Sequence, residues 1–128
     1  MRTIEKVGAI IIQNKKILAV RSTGEKNFDA LMGRIEENET FYGAVRREVH
    51  ESLGVKAKKA NQYATLQIEG EETALALSCY LTELESTKIN LKQGIEQIEW
   101  INSKTKKPLS KIMQEHLIPK LKKEKLIN

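Results

Sequence analysis

A chain of 128 residues, 40% hydrophobic and 30% charged, is long enough to bury one sizeable core and reads as a single globular domain over residues 1–128. Its longest apolar run, Ala9 to Ile12, is far too short to span a bilayer, and no charged leader with a cleavage site opens the chain, so a cytoplasmic location is expected. Cys79 is the only cysteine, which excludes an intramolecular disulfide and argues against a cysteine zinc site; its apolar surroundings predict a buried, inert thiol. The net charge of +5 is concentrated late, in Lys104, Lys106, Lys107, Lys111, Lys120, Lys122, Lys123 and Lys125. With aromatic residues at only 5%, this charge lacks the stacking platforms of a nucleic-acid surface and reads as a solvated helix face.

In chain order, Val7–Gln13 and Lys16–Arg21 are predicted strands joined by a tight turn at Asn14 and Lys15. Ser22 to Asp29 is polar and forms a loop, and Phe28 to Met32 is a short extended run leading into Gly33. A helix follows, with Thr40 or Asn38 as its N-cap and Gly54 as its stop. Phe41, Val45, Val49 and Leu53 recur every four residues as its buried stripe, while Arg47, Glu48, Glu51 and Ser52 lie on its polar side. Tyr63–Ile68 and Thr73–Leu84 read as strands joined by an acidic turn, Glu69 to Glu72. Gly94–Asn102 adds a strand through Ile95, Ile98 and Trp100. Leu109, Ile112, Met113, His116, Leu117 and Leu121 then trace a second amphipathic helix. One mixed α/β domain is the expectation.

The first helix concentrates carboxylates in a basic chain. Residues three apart share a helix face, so Glu48 and Glu51 can reach one point. Two such carboxylates repel unless a cation lies between them, and a hard divalent ion such as Mg²⁺ takes oxygen ligands of this kind. Small Ala44, one turn earlier, would leave that surface open. From the helix alone, a solvated face on which Arg46 and Arg47 pair with nearby acids is the preferred reading.

The spacing of the whole segment adds a further observation. Gly33, Glu39, Arg47, Glu48, Val49, Glu51, Gly54 and Val55 stand in the register G-x5-E-x7-R-E-U-x-E-E-x-G-U, with U aliphatic. This resembles the Nudix box of the Nudix (MutT-like) hydrolases. An arginine closing the strand before the box (Arg21) and a tryptophan in a late strand (Trp100) extend the resemblance to nearly the full chain. The fold it implies is α/β: a Nudix-like α/β/α sandwich with a mixed β-sheet. Carried over by position, Glu48 and Glu51 would be metal ligands, one of them helping to activate water. Glu39 and Arg47 would form a bracing ion pair, and Gly33 would turn the chain near the metal. Arg21 would touch substrate phosphate or cap its strand. The activity implied is hydrolysis of a diphosphate linked to a nucleoside or similar group, dependent on Mg²⁺, with Mn²⁺ as an alternative ion. The implied partner is a small-molecule nucleotide or nucleotide derivative, with no membrane or nucleic-acid role and with a homodimer left open.

One box position departs from the pattern: Ser52 replaces the second glutamate of the E-E pair. A neutral hydroxyl is a far weaker Mg²⁺ ligand than a carboxylate, so a nucleotide-binding module with weak or no catalysis is the alternative function. Gly94 stands where the family commonly has a further acid. Glu96, or Glu69, Glu71 or Glu72 of the acidic turn, are the acids available to substitute. Aromatic residues able to stack on a base are Phe28, Phe41, Tyr42, Tyr63, Tyr80 and Trp100, with Phe41 and Trp100 assigned to the core. His50 reads as a solvated helix residue and His116 as a core histidine.

Overall fold

The computed structural model describes residues 2–92 and 94–128. Among the described residues, seven strands form two sheets. The larger holds β1 (Arg2–Ile10), β4 (Leu31–Arg34), β5 (Ala57–Glu69) and β6 (Thr73–Leu84) in the order β4-β1-β6-β5. The smaller holds β2 (Ile12–Gln13), β3 (Lys16–Ser22) and β7 (Ile95–Ile101) in the order β2-β3-β7. β1 and β6 run parallel while their other neighbours run antiparallel, which makes the larger sheet mixed.

The first predicted strand is corrected here. It begins earlier than Val7, because Arg2 to Lys6 pair with Thr73 to Leu77 of β6. It also breaks at Ile11, whose carbonyl accepts a bond from Leu18 N (2.8 Å) and hands the chain to the second sheet. Asn14 (φ 51°) and Lys15 (φ 62°) both take left-handed backbone, as a two-residue hairpin loop whose twist matches its strands requires.

Side-chain alternation along the strands divides the core in two. Val7, Ala9, Leu18 and Val20 pack with Ala44, Val45, Val49 and Leu53 of the helix α1 (Phe41–Leu53). Ile10, Ile17, Ala19, Leu77 and Cys79 face the opposite way, toward Met113, Leu117, Ile118 and Leu121 of the C-terminal helical segment. Sheets lie between helices, as the α/β/α expectation required. Cys79 is buried and its thiol pKa is pushed up to about 11 by desolvation, so it is inert near neutral pH.

The C-terminal helix is not continuous. A π-helical turn, Ile112–Leu117, runs into a short α2, Ile118–Lys123. Pro119 has no N–H to give to the carbonyl four residues back and its ring crowds that group, so the backbone widens just ahead of it. Ile118 N accordingly bonds Met113 O. His116 is half-buried there. Among the described residues no helix is long and apolar enough to cross a membrane.

Candidate active site

Thr40 begins α1: its Oγ1 accepts a bond from Gly43 N (2.9 Å) and satisfies one orphan donor of the first turn. Asn38, the competing cap, lies in the preceding turn at φ 64°. Gly54 ends the helix in left-handed backbone at φ 69°, and Asn90 N and Lys92 N bond the carbonyls of Leu53 and Ser52. The buried face differs from the expected stripe. Ala44 is fully buried rather than opening the surface, and Ser52 is only 8% exposed although it was placed on the polar side. Phe41 is 37% exposed rather than core, because the first residue of α1 stands outside the contact whose centre is Val45 and Val49.

Arg47 organises the loop before the helix. Its Nε and Nη2 grip both oxygens of Glu39 at 2.8 and 3.1 Å, a bidentate fork that fixes orientation as well as charge. Nη2 also donates to Arg34 O at 2.8 Å, tying the end of β4 to α1. The guanidinium holds the Glu39 carboxyl below its ordinary range, helped by a bond from Glu36 N. The remaining nitrogen, Nη1, lies 3.2 Å from Glu51, 3.6 Å from Glu48 and 3.7 Å from Glu36. The cation that the two helix carboxylates need between them is, in this arrangement, Arg47 itself.

Glu48 and Glu51 sit differently. The Glu48 side chain is 20% exposed, and desolvation raises its pKa, opposed by the Ser52 hydroxyl and Arg47 and reinforced by Glu51. Ser52 Oγ donates to Glu48 Oε1 at 3.2 Å. Glu51 is 62% exposed, and its tie to Arg47 is a helix-surface pair worth about 0.3–0.5 kcal/mol, so it can turn toward a ligand at little cost.

Gly33 corrects a second expectation. It makes no tight turn but lies within β4, opposite Val7. Glycine leaves room for the Glu48 side chain where it lies: a Cβ there would overlap its carboxylate, with Glu48 Cδ only 2.5 Å away. Gly33→Ala is expected to expel the Glu48 side chain with the fold retained and, should Glu48 hold a divalent ion, to lower affinity for that ion at least about tenfold. Metal titration with circular dichroism checks this; unchanged affinity in a folded variant would refute the placement.

Glu48 and Glu51 are the helix carboxylates that could hold a hard divalent cation in place of Arg47. Among the described residues no three acidic, histidine or cysteine side chains converge as a ready-made cage. An ion held by Glu48 and Glu51 would therefore complete its shell with water and substrate phosphate, the usual habit of Mg²⁺. Of the later acids, Glu96 is engaged by Arg21 at 3.1 Å. The turn bearing Glu71 and Glu72 adjoins Thr73, which pairs with Arg2, five residues along β1 from the Val7–Gly33 pair. That is a strand length of about 17 Å, too far to complete a shell at Glu48.

Arg21 stands apart from the helix cluster. It bonds Glu96, Gln97 Oε1 (3.0 Å) and Glu25 O (3.2 Å), and its guanidinium lies 5.9 Å from the centre of the Phe28 ring. Phe28 is buried and Trp100 half-buried, leaving Phe41 and Tyr42 as the large exposed aromatics; His50 is exposed. The sequence reading missed Asp29. Its Oδ1 accepts bonds from Ser110 Oγ (2.7 Å) and Ala30 N (2.8 Å), and burial raises its pKa. An acid inside the apolar run Phe28–Met32 was the available signal. It also missed the Arg34 carbonyl, which no side-chain pattern can show.

A family model described as the NUDIX domain matches residues 3–117 of this chain. The chain belongs to the Nudix family. Solved structures share its fold. The MutT NUDIX hydrolase from Burkholderia pseudomallei is 19% identical, with 98% of this chain and 97% of that one aligned at a TM-score of 0.76. A UDP-X diphosphatase is 19% identical at a TM-score of 0.81 over 98% of this chain, which spans 62% of that protein. The ORF135 protein of E. coli is 25% identical, with 78% of this chain and 74% of that one aligned at a TM-score of 0.64. No curated protein sequence gives a significant match.

Proposed function

We propose that this Nudix protein is a pyrophosphohydrolase that uses a divalent cation, Mg²⁺ or Mn²⁺, to cleave a nucleoside diphosphate-linked substrate. The observation that carries the reading is the arrangement around Arg47: one guanidinium locks Glu39 and the β4 carbonyl while Glu48 and Glu51 project from the same turn of α1. Glu48 and Glu51 would hold the ion, which when bound supplies charge against the diphosphate oxygens and a water of lowered pKa. One of the two carboxylates accepts a proton from water, with Glu48 positioned by Ser52 and given room by Gly33. Water adds to one phosphorus, the bridging P–O bond breaks, and the diphosphate leaves as two phosphorylated fragments. Arg47 and Glu39 position the site, and Arg21 would meet phosphate after releasing Glu96.

The likeness to a UDP-X diphosphatase and a MutT hydrolase supports a test panel of nucleotide sugars, nucleoside triphosphates and dinucleoside polyphosphates with Mg²⁺ and Mn²⁺. Turnover on one class, lost in Glu51→Gln, is the expected result; no turnover on any member would refute the hydrolase. The second reading, a nucleotide-binding module with little catalysis, is favoured by one observation: where a third carboxylate would serve the ion, a buried serine bonds Glu48 instead. Ser52→Glu separates the two. It crowds a third carboxylate beside Glu48, so the metal-free variant should melt several degrees lower, at roughly 3–8 °C below wild type. Mg²⁺ should restore that loss, because the cation relieves the repulsion. Rescue with raised turnover supports the hydrolase, and rescue with nucleotide binding but no turnover supports the binding module.

A further inference from the structure

β5 is the outermost strand of its sheet, and among the described residues its ladder bonds run to β6 alone. At 13 residues it extends about 43 Å, with no proline to spoil its free edge. A long unpaired edge is a template for another strand, and proteins ordinarily deter such pairing with lysines and bulges. Both devices are present: Lys58 and Lys59 lie at one end, and bulges fall at Ala57/Lys59 and Gln62/Ala64. The other end undoes the deterrent for one geometry. Glu69 closes β5, and Glu71 and Glu72 lie in the turn just beyond. All five charged side chains are exposed, and the ion pairs found among the described residues use other groups.

We propose that two copies of this chain associate through the free edge of β5, antiparallel about a two-fold axis near Tyr63 and Ala64. That operation sets the basic end of each strand against the acidic end of the other, twice over by symmetry. A parallel pairing would oppose lysine to lysine and glutamate to glutamate. The middle of the strand, Asn61 to Ile68, carries no formal charge to oppose its own copy. Pairing on either side of the Gln62/Ala64 bulge supplies several backbone hydrogen bonds and joins two four-stranded sheets into one of eight. Tyr63, at the centre, is anchored by its hydroxyl to Glu124 of the C-terminal segment, which itself pairs with Lys120 at 2.9 Å. The centre of the edge is thus held against the body of the protein. Ile68, half-exposed and in neither core cluster, gains cover from the partner.

Sedimentation equilibrium of the full chain at roughly 1–100 µM tests this against a chain mass of 14.6 kDa. The expected mass is twice that value at the upper end of the range. Lys58→Glu with Lys59→Glu makes both ends of β5 acidic; Glu69→Lys with Glu71→Lys and Glu72→Lys makes both ends basic. Each variant alone should dimerise at least about tenfold more weakly, and an equimolar mixture should recover dimers containing one of each. If either variant fails to fold by circular dichroism, the wild-type dimer's salt dependence decides, since a charge-matched edge weakens as NaCl rises. A wild-type chain that stays monomeric throughout, variants that dimerise as the wild type does, or a dimer indifferent to salt would overturn the interface.

Discussion

Glu48→Gln is expected to lower turnover on any diphosphate substrate by about 10²–10³-fold or more while making the metal-free protein more stable at neutral pH. Both effects come from the same burial. The carboxylate lies over Gly33 and against α1, where desolvation raises its pKa above the ordinary 4.5. As pH rises between that value and the folded one, the unfolded chain gives up a proton that the folded protein retains. Stability therefore falls across this window, and the penalty is present above it. Glutamine is nearly isosteric, keeps an oxygen to accept the Ser52 hydroxyl and carries no charge to desolvate. A rise in Tm of about 2–4 °C at pH 7 without divalent ions is the expected result, shrinking toward zero near pH 4. Thermal melts of both proteins at these two pH values, with and without Mg²⁺, give the answer. A variant less stable than wild type at pH 7 would show that attraction to Arg47 outweighs desolvation at this site.

Arg47→Ala should have the opposite effect on stability and an equally large one on activity. Removing the guanidinium leaves Glu39 without its bidentate partner, the Arg34 carbonyl without its donor, and Glu36, Glu48 and Glu51 without the cation among them. The loop between β4 and α1 loses its brace, and Tm is expected to fall by roughly 5–10 °C. The pH dependence identifies the cause. Glu39 is held below its ordinary 4.5, so its contribution is present above that pH and lost as pH falls through the depressed folded value. The variant's deficit should therefore be largest near neutrality and shrink in acid. Arg47→Lys, a single point charge without the fork, should restore only part of either property. Unchanged melting and unchanged turnover in Arg47→Ala would remove both residues from the proposed machinery.

The box was legible because it is local. Residues 33 to 55 form one strand end, one loop and one helix, so fixed spacing dictates which side chains meet: Glu39 is within reach of Arg47, and Glu48 lies one turn from Glu51. The cap at Thr40, the stop at Gly54 and the hairpin at Asn14 and Lys15 were readable for the same reason, since each depends on backbone conformations that neighbouring residues set. Errors arose where a distant element decided the outcome. Helical periodicity could not orient α1 to the degree that separates Ala44 from Phe41, because that rotation depends on which residues of β1 and β4 lie beneath it. Arg21 stands one residue before the end of β3 at Ser22, and only the β3–β7 register shows that Glu96 and Gln97 occupy its guanidinium.

By itself, then, the sequence determined the family, the mixed α/β class and the set of acids and bases around the box, since these rest on residue identity and short-range spacing. The tertiary structure alone decided what each of them is free to do. Whether Gly33 is a turn or a clearance for Glu48, and whether Ser52 is a surface residue or a buried donor, depends on contacts between β4 and α1. Whether Glu48 is an easily ionised acid or a desolvated one depends on how much water that packing removes. Solvent exclusion is a property of the assembled fold, and no spacing within one segment encodes it.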